Sequence, residues 1–317
     1  MTPEQLDTLR SGLTAVGHQP SQLALIECYV DFYGLDFSSR FPSLTYQLGS
    51  VESSGYSLAV HQWTQPEATC NLLLVHGYFD HTGIFGKLVE WAVSQNCNVL
   101  IFDLPGHGLS TGEQASITDF KHYAQAIDDV LRAVKLPDLP LLAMGQSTGG
   151  AALVEYARHF TWPFAATVLL APLIRPMGWN KINIAQRVVR VFTKRIPRNF
   201  ATNSSDSDFL AFLKTEPLQS QHTSLRWVDA LRNWLSDLAF EDLGVGPALI
   251  VQGDNDGTVD WQYNLPKLAQ LFPESTIENV SGAGHQLANE SQALRDHYLA
   301  KVEHYLAERG LPLGGKA

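Results

Sequence analysis

The sequence "LAMGQSTGGAAL", residues 142–153, places Ser147 between Gly145 and Gly149, where an apolar run ends and a helical pattern begins. The glycines are expected to allow a sharp strand-to-helix turn, and a serine on such a turn carries its hydroxyl above the edge of a sheet. A G-x-S-x-G motif also arises by chance, so its meaning depends on the segments around it. Those segments decide the predicted fold.

Short, nearly continuous apolar segments alternate along the chain with amphipathic stretches that are typical of helices. They are "CNLLLVHG" (70–77), "NVLIFDLPG" (98–106), "LPLLAMGQS" (139–147), "ATVLLAPL" (166–173) and "GPALIVQGD" (246–254), and a further strand is predicted at "STIENVSG" (275–282). Strands that are apolar on both faces and alternate with helices predict a parallel sheet covered on both sides. We therefore predict the α/β class, with a mostly parallel central sheet flanked by helices.

The first part of the chain follows other periods. Residues 3–36 show helical spacing, and Ser21 is predicted to be the N-cap of the second helix. The segments "TYQLGS" (45–50) and "YSLAVHQW" (56–63), separated by "VESSG", alternate like the two arms of a hairpin. We expect a helical N-terminal extension over residues 1–45 and a hairpin that leads into the sheet.

The alternation of strand and helix pauses over residues 175–247, which we call the insertion. This stretch contains helix-like segments but no core-strand run, and it is too long for a structureless loop in a compact domain. We predict an α/β core over residues 1–174 and 248–317, with the insertion as a helical cap. Seven aromatic side chains of the insertion are expected to form either its own core or the wall of an acyl-chain tunnel: Trp179, Phe192, Phe200, Phe209, Phe212, Trp227 and Trp234.

Composition excludes several classes of protein. The chain has 317 residues, 45% of them hydrophobic, and a formal net charge of −10, which argues against general affinity for nucleic acid. The N-terminus is polar and no run approaches eighteen apolar residues, so we expect neither a signal peptide nor a membrane span, and a cytoplasmic location.

Metal, cofactor and disulfide signals are weak. The chain has no HExxH or paired CxxC motif, and its "GHGLSTG" segment lacks the G-K-[ST] ending of a phosphate-binding loop, so we predict no metal and no cofactor. Cys28, Cys70 and Cys97 lack C-x-x-C spacing. We expect them to be buried free thiols rather than a disulfide framework.

Charge is distributed unevenly. Residues 156–205 contain no Asp or Glu and eight Lys or Arg, which leaves 14 basic and 32 acidic residues, or −18, elsewhere. Within "NKINIAQRVVRVFTKRIPRNF" (180–200), the basic residues at helical spacing and the strip beside them are Arg187, Arg190 and Lys194, with Ile184, Val188, Val191 and Arg195. Two interpretations stay open: this segment docks on the acidic body, or it rests peripherally on an anionic lipid surface.

Acyl chemistry at Ser147 requires a base, an acid that orients the base, and N–H donors for the developing oxyanion. His285, in the loop after the last predicted strand, is the candidate base. The acid is sought in "QGDNDGTVD" (252–260), which offers Asp254, Asp256 and Asp260. The candidate donors are the backbone N–H groups of Tyr78 and Thr148.

These elements make the chain similar to the α/β-hydrolases, and within them to the monoacylglycerol lipase and lysophospholipase group, which is also grouped with serine aminopeptidases. The similar stretches lie between residues 46 and 306: "VHGYFDHTGIFGKL" (75–88), "IFDLPGHGLSTG" (101–112), "GQSTGG" (145–150), "LIVQGDNDGTVD" (249–260) and "GAGH" (282–285). The resemblance implies Ser147 as nucleophile, Asp256 as acid, His285 as base, and the Tyr78 and Thr148 N–H groups as oxyanion donors. The chain departs from the family pattern at Gln146, where His is usual, and at Thr148, where Met is usual.

The resemblance and the motifs together predict a serine hydrolase that cleaves carboxylic esters through an acyl-enzyme. Monoacylglycerols, lysophospholipids or similar single-chain esters are the expected substrates. Three alternatives stay open: a serine aminopeptidase, a carbon–carbon bond hydrolase of the same fold, and a non-catalytic ligand receptor.

Overall fold

The computed structural model describes residues 1–189, 192–198, 201–311 and 313–314. Its strands are β1 (Thr45–Ser53), β2 (Tyr56–Thr64), β3 (Cys70–Val75), β4 (Cys97–Phe102), β5 (Leu141–Gln146), β6 (Ala166–Leu170), β7 (Arg195–Pro197), β8 (His222–Ser224), β9 (Leu249–Gly253) and β10 (Thr276–Val280). Eight of them form one sheet in the order β1-β2-β4-β3-β5-β6-β9-β10, and β7 pairs with β8.

The large sheet is mostly parallel, as predicted. Only the β1–β2 and β2–β4 pairs are antiparallel, whereas the five pairs from β4 to β10 are parallel. The β1–β2 hairpin turns at Ser54 and Gly55, both with positive φ (50° and 82°), which is the combination that a type I′ turn needs. The hairpin is confirmed, with β1 extending three residues and β2 one residue further than expected.

Within the described residues, ten α-helices accompany the sheet: α1 (Pro3–Ser11), α2 (Leu23–Tyr33), α3 (Gly86–Ser94), α4 (Lys121–Ala133), α5 (Thr148–His159), α6 (Trp179–Val189), α7 (Ser207–Leu213), α8 (Leu225–Asp237), α9 (Trp261–Leu271) and α10 (Gln292–Glu308). Residue Gln22, rather than Ser21, is the N-cap of α2. Because strand side chains alternate, β3 sends Leu72 and Leu74 to one apolar cluster and Leu73 and Val75 to the other. Helices α1, α2, α3 and α10 pack in the first cluster, and α4, α5, α8 and α9 in the second.

The insertion contains α6, α7 and α8, and also the two-stranded β7–β8 sheet, so it is not purely helical. Ile196 lies opposite Thr223 in that small sheet. The sequence shows no strand signal there because three-residue strands carry too little alternation to detect. Helix α8 is amphipathic and buries Trp227 and Trp234 in the apolar cluster of the core.

The cysteine expectation needs correction. Cys70 and Cys97 are register partners on the parallel strands β3 and β4, and the structure joins them as a disulfide with Cα atoms 4.9 Å apart. Their proximity follows from strand register, which single-sequence spacing does not reveal. Cys28 is a free thiol, but it is exposed rather than buried.

Some residues named in the sequence analysis lie outside the ranges that the structure describes. Arg190, Val191 and Phe200, and the side chains of Arg187 and Val188, lie outside the described residues. Within the described ranges, no helix combines the length and apolar composition that crossing a bilayer requires. The same ranges contain no group of three or more His, Cys, Asp or Glu side chains arranged to hold a metal ion.

Candidate active site

Ser147 lies in the tight turn between β5, which ends at Gln146, and α5, which begins at Thr148. Its backbone has φ 53° and ψ −113°, a conformation that costs a non-glycine residue about 1–3 kcal/mol and persists only where the surroundings impose it. The Ser147 N–H donates to the Leu170 carbonyl at 2.9 Å, and the Ser147 carbonyl accepts from Leu173 N–H at 3.0 Å. Neighbouring β6 and the chain after it therefore hold the turn.

The glycines on either side of Ser147 serve close packing. The positive φ belongs to Ser147 itself, and neither Gly145 nor Gly149 has one. A Cβ at Gly145 would lie 2.8 Å from the Gly149 backbone, and a Cβ at Gly149 would lie 2.0 Å from the Val75 carbonyl oxygen. The expectation that the glycines allow the sharp turn is borne out in steric terms, because residues without a Cβ at these two positions let the start of α5 fold back closely against β5 and β3.

The structure brings Ser147, His285 and Asp256 together. His285 Nε2 lies 2.9 Å from Ser147 Oγ, and His285 Nδ1 lies 2.8 Å from Asp256 Oδ2. Asp256 follows β9 and His285 follows β10, so both reach the sheet edge at which β5 delivers the serine. With Nδ1–H donating to Asp256, Nε2 is left to accept the Ser147 hydroxyl proton.

The carboxylate of Asp256 is fully engaged. Its Oδ1 accepts from the backbone N–H groups of Thr258 at 2.7 Å and Val259 at 3.1 Å, and its Oδ2 accepts from Gln252 Nε2 at 3.0 Å as well as from His285. Burial favours the neutral acid, but the imidazole charge of His285 and these hydrogen bonds outweigh it and lower the pKa of Asp256. Asp256 is therefore an anion held in one orientation.

The two other candidate aspartates are used elsewhere. Asp254 is exposed and accepts from Gly282 N–H at 2.7 Å. Asp260 pairs with the Arg175 guanidinium, with Nη2 at 2.7 Å from Oδ2. Of the three carboxylates in this loop, Asp256 is the one that contacts His285.

His285 is buried and surrounded by acceptors. Burial alone would lower its pKa, but the Asp256 charge, the hydrogen bond to Asp256 and the charge of Asp80 raise it above the ordinary value. Asp80 is itself buried and accepts from Gln286 Nε2 at 2.8 Å. A raised pKa means that the imidazolium which forms on taking a proton is stabilised.

Gln146 has a structural role that sequence reasoning did not find. Its Nε2 donates to the His285 carbonyl at 2.8 Å, and its Oε1 accepts from Ala288 N–H at 3.3 Å. The residue before the nucleophile thus fastens the loop that carries the base. The sequence did show that Gln146 stands where the family usually has His. It could not show the partner of Gln146, because His285 lies 139 residues away along the chain.

The two candidate oxyanion donors flank Ser147. Tyr78 follows β3, and its ring stacks on Trp227 of α8 with centroids 3.9 Å apart. Its hydroxyl donates to the Ala115 carbonyl at 2.7 Å. In the part of the chain that the structure describes, the backbone N–H groups of Tyr78 and Thr148 donate to no protein acceptor. Both groups are therefore available to a ligand oxygen.

Other polar side chains near the site brace its loops. His76 accepts from Leu104 N–H at 2.9 Å, and burial, with the nearby His107, lowers its pKa to about 3, so that it is neutral. His81 instead contacts the buried Glu216 of the insertion, with Nε2 at 3.2 Å from Oε1. Neither histidine contacts Ser147.

A cavity of about 410 Å³ opens onto Ser147, Thr148 and His285. Its wall is mainly apolar and includes Trp179 and Trp227, two of the aromatic residues of the insertion; the other described ones are not among its wall residues. Phe209 and Trp234 are buried in the two apolar clusters, and Phe192 is exposed. Among the described wall residues, Arg198 is the one besides His285 that can carry a charge.

Known proteins resemble this chain in sequence and fold. A family model described as serine aminopeptidase, S33, matches residues 65–292. Human monoglyceride lipase is 27% identical over 283 residues, which cover 83% of this chain and 91% of the human protein. A soluble variant of monoglyceride lipase from Saccharomyces cerevisiae, solved with a substrate analog, has a TM-score of 0.70 at 18% identity and covers 84% of this chain and 97% of its own.

A monoacylglycerol lipase from Paleococcus ferrophilus has a TM-score of 0.68 at 21% identity and covers 80% of this chain and 99% of its own. At such sequence identities the similar structures establish the fold alone. The family model matches most of the chain and therefore establishes the family. The chain belongs to the serine aminopeptidase S33 family, and it is an α/β-hydrolase of the lipase and esterase type.

Proposed function

We propose that this protein is a serine hydrolase that cleaves single-chain acyl esters, such as monoacylglycerols or lysophospholipids, with Ser147 as nucleophile, His285 as base and Asp256 as the orienting acid. The observation that carries the proposal is the continuous hydrogen-bonded chain of these three side chains, at 2.9 and 2.8 Å. Residues of an ordinary turn are not expected to form such a series of hydrogen bonds on a strained backbone beside a cavity.

The reaction proceeds in two halves. Ser147 Oγ attacks the ester carbonyl carbon while His285 Nε2 takes the hydroxyl proton, and the backbone N–H groups of Tyr78 and Thr148 stabilise the oxyanion. The tetrahedral intermediate collapses, and the alcohol leaves with the proton from His285. Water then attacks the acyl-enzyme with the same proton transfers, which releases the acid and restores Ser147.

The cavity wall supports a substrate with an apolar chain. Trp179, Leu173 and Leu231 lie along it, and its volume of about 410 Å³ falls in the range of small-molecule sites. The resemblance to monoglyceride lipases agrees with this class of substrate.

The residues that line the cavity argue against aminopeptidase activity, although the family model is described as serine aminopeptidase. A peptidase of that kind needs a carboxylate to bind the α-ammonium group of its substrate, and no Asp or Glu occurs among the described residues of the wall. Arg198 would repel an ammonium group. The ester is therefore the better substrate.

The outer surface of the insertion supports a peripheral contact with lipid. Five of the large apolar side chains that are exposed in the described structure belong to it: Met177, Ile182, Ile184, Phe192 and Ile196. The exposed Lys181 and Lys194 lie among them in sequence, and Ile182 and Ile196 also line the cavity. We call these five exposed apolar side chains the apolar patch; with basic residues near them in sequence and two of them at the cavity, they suit an enzyme whose substrates are dissolved in an anionic membrane.

The proposed function is tested with p-nitrophenyl esters of increasing chain length beside aminoacyl anilides, and with labelling by a fluorophosphonate. We expect ester turnover and labelling of the parent protein, and loss of both in Ser147→Ala, with the far-ultraviolet circular dichroism unchanged. Removal of a triad nucleophile lowers kcat by several orders of magnitude. Equal turnover by Ser147→Ala and parent would overturn the assignment, and preference for the anilides would replace the ester by a peptide substrate.

A further inference from the structure

Thr148 carries a buried hydroxyl without a partner. The residue is fully buried, and its Oγ1 makes no hydrogen bond within the described part of the chain. Leaving a buried polar group unsatisfied costs about 1–3 kcal/mol, and most buried side-chain groups in proteins are paired. The position in the helix explains part of this, because a threonine inside a helix donates to a carbonyl three or four residues earlier, and Thr148 is the first residue of α5.

The same residue contributes a second unmatched donor. The Thr148 backbone N–H also has no acceptor among the described residues, and Thr148 lines the cavity beside Ser147 and His285. One residue next to the nucleophile, at the border of the cavity, thus carries two hydrogen-bond donors that have no acceptor among the described residues. An N–H and a hydroxyl of one residue can converge on a single oxygen, which a methionine at this position could not do with its side chain.

We propose that the Thr148 hydroxyl donates a hydrogen bond to the ester oxygen that becomes negatively charged when Ser147 attacks, and so adds a third donor to the Tyr78 and Thr148 N–H groups. This proposal rests on the proposed function. The bond from Ser147 Oγ to the carbonyl carbon forms, the π electron pair moves to the carbonyl oxygen, and the serine proton goes to His285. Thr148 keeps its own proton and stabilises the charge until the carbonyl re-forms and the alcohol leaves.

Valine has nearly the shape of threonine and lacks the hydroxyl, so Thr148→Val isolates the proposed bond while it retains the backbone N–H. We expect kcat for a p-nitrophenyl ester to fall about 10- to 100-fold with KM changed by less than about threefold, because a transition-state donor has been lost. Thr148→Ser keeps a hydroxyl and is expected to recover most of the lost rate.

Thr82 supplies the matched control. Its hydroxyl is also fully buried and unpartnered among the described residues, but Thr82 does not line the cavity. Thr82→Val makes the same chemical change at the same burial, and we expect kcat within about twofold of the parent, since no transition-state donor is removed. Thermal unfolding of each variant verifies that the fold is retained.

A thionoester substrate provides a readout that a merely structural role would not change. Sulfur accepts hydrogen bonds weakly, so the parent should prefer the oxygen ester to the thionoester, and Thr148→Val should reduce that preference about 10-fold or more. Equal rates and equal preference in Thr148→Val and parent would overturn the proposal. If the parent neither hydrolyses esters nor reacts with a fluorophosphonate, the proposed function itself fails, which is a distinguishable result.

Discussion

Asp256, unlike the two neighbouring aspartates, contacts the base, through a hydrogen bond to His285 Nδ1 at 2.8 Å. We expect Asp256→Asn to lower kcat about 10³- to 10⁴-fold, because an amide that donates to Nδ1 holds the imidazole in the wrong tautomer and no longer stabilises its charge. The measurement is steady-state hydrolysis of a p-nitrophenyl ester.

Asp254→Asn and Asp260→Asn are the controls, since Asp254 bonds to Gly282 N–H and Asp260 to Arg175. Both should retain kcat within about tenfold, because neither loss alters the His285 tautomer. A larger loss of kcat in Asp254→Asn than in Asp256→Asn would show that Asp256 is not the acid that orients His285.

The charge state of His285 predicts the pH dependence of the reaction. His285 must be neutral to accept the Ser147 proton, and its pKa is raised because Asp256 and Asp80 outweigh burial. Activity should therefore be lost as pH falls through a pKa above about 6.5, the ordinary value of histidine. A profile of kcat/KM against pH measures this inflection, and a profile flat from about pH 5 to 9 would contradict the role of His285 as base.

At the residue scale, the sequence was informative where chemistry coincides with strand ends. Ser147, Asp256 and His285 each follow a predicted strand, and the carboxyl ends of parallel strands share one edge, so their meeting could be expected. The positive φ of Ser147, the bond from Gln146 to the His285 carbonyl and the pairing of Cys70 with Cys97 depend on contacts between distant segments. Single-sequence patterns contain no record of such contacts.

At the scale of elements, a buried ion pair joins the insertion to the core. The side chains of Glu216 and His81 are both fully buried with 3.2 Å between Oε1 and Nε2, and Glu216 Oε2 accepts from the Tyr33 hydroxyl at 2.8 Å. Burial opposes both charges, but their mutual attraction lowers the pKa of Glu216 and raises that of His81. The segment between α7 and β8 is thereby fixed next to the Tyr78 loop.

We expect Glu216→Gln to lower the free energy of unfolding by about 2 kcal/mol, as for the loss of a charge-assisted hydrogen bond inside a protein. The raised pKa of His81 adds stability that is present below about pH 6.5 and is lost as pH rises through the folded-state pKa. The lowered pKa of Glu216 adds stability that is present above about pH 4.5 and is lost in acid. The difference between parent and variant in urea unfolding should therefore shrink as the pH rises above the His81 pKa.

Glu113→Gln is the matched control for this prediction. Glu113 also links the core to the insertion, through Arg195 and Arg226, but its side chain is 29% exposed. Such pairs contribute about 0–1 kcal/mol, so this variant should lose less stability than Glu216→Gln. Equal losses in the two variants would show that burial of the pair is not what matters.

The longer helices and strands could be predicted from the sequence, whereas the shortest strands could not. The core strands stand out as continuous apolar segments, the hairpin strands by their alternation and helix α4 by its 3.6-residue apolar pattern, and the fold class was confirmed. Strands β7 and β8 have three residues each and were not predicted. The pairing of Glu216 with His81 was likewise not predicted, because 135 residues separate them in the sequence.

At the scale of the whole molecule, some basic residues of the acid-free part of the chain pair with acidic residues, whereas apolar side chains near them in sequence stay exposed. Arg175 and Arg195 lie in the acid-free residues 156–205, which we call the basic stretch, and they pair with Asp260 and Glu113; the Arg195 pair supports docking of the 180–200 segment on the acidic body. Ile184 and Phe192, by contrast, are 69% and 84% exposed, beyond any such pairing. These ion pairs leave the exposed apolar side chains unaccounted for, and the lipid contact stays a proposal for the apolar patch.

We expect the inactive Ser147→Ala protein to co-sediment with vesicles containing anionic lipid more strongly than with zwitterionic vesicles, and added salt to weaken the difference. Adding Ile184→Ser and Phe192→Ser should reduce binding to anionic vesicles about 10-fold or more, since each buried side chain of this size is worth roughly 1.5–3 kcal/mol. Leu23→Ser is the control, because Leu23 is also exposed but lies on α2, outside the insertion. If the double variant binds as tightly as the Leu23 control, the patch does not meet the membrane, and the basic stretch remains a docking surface alone.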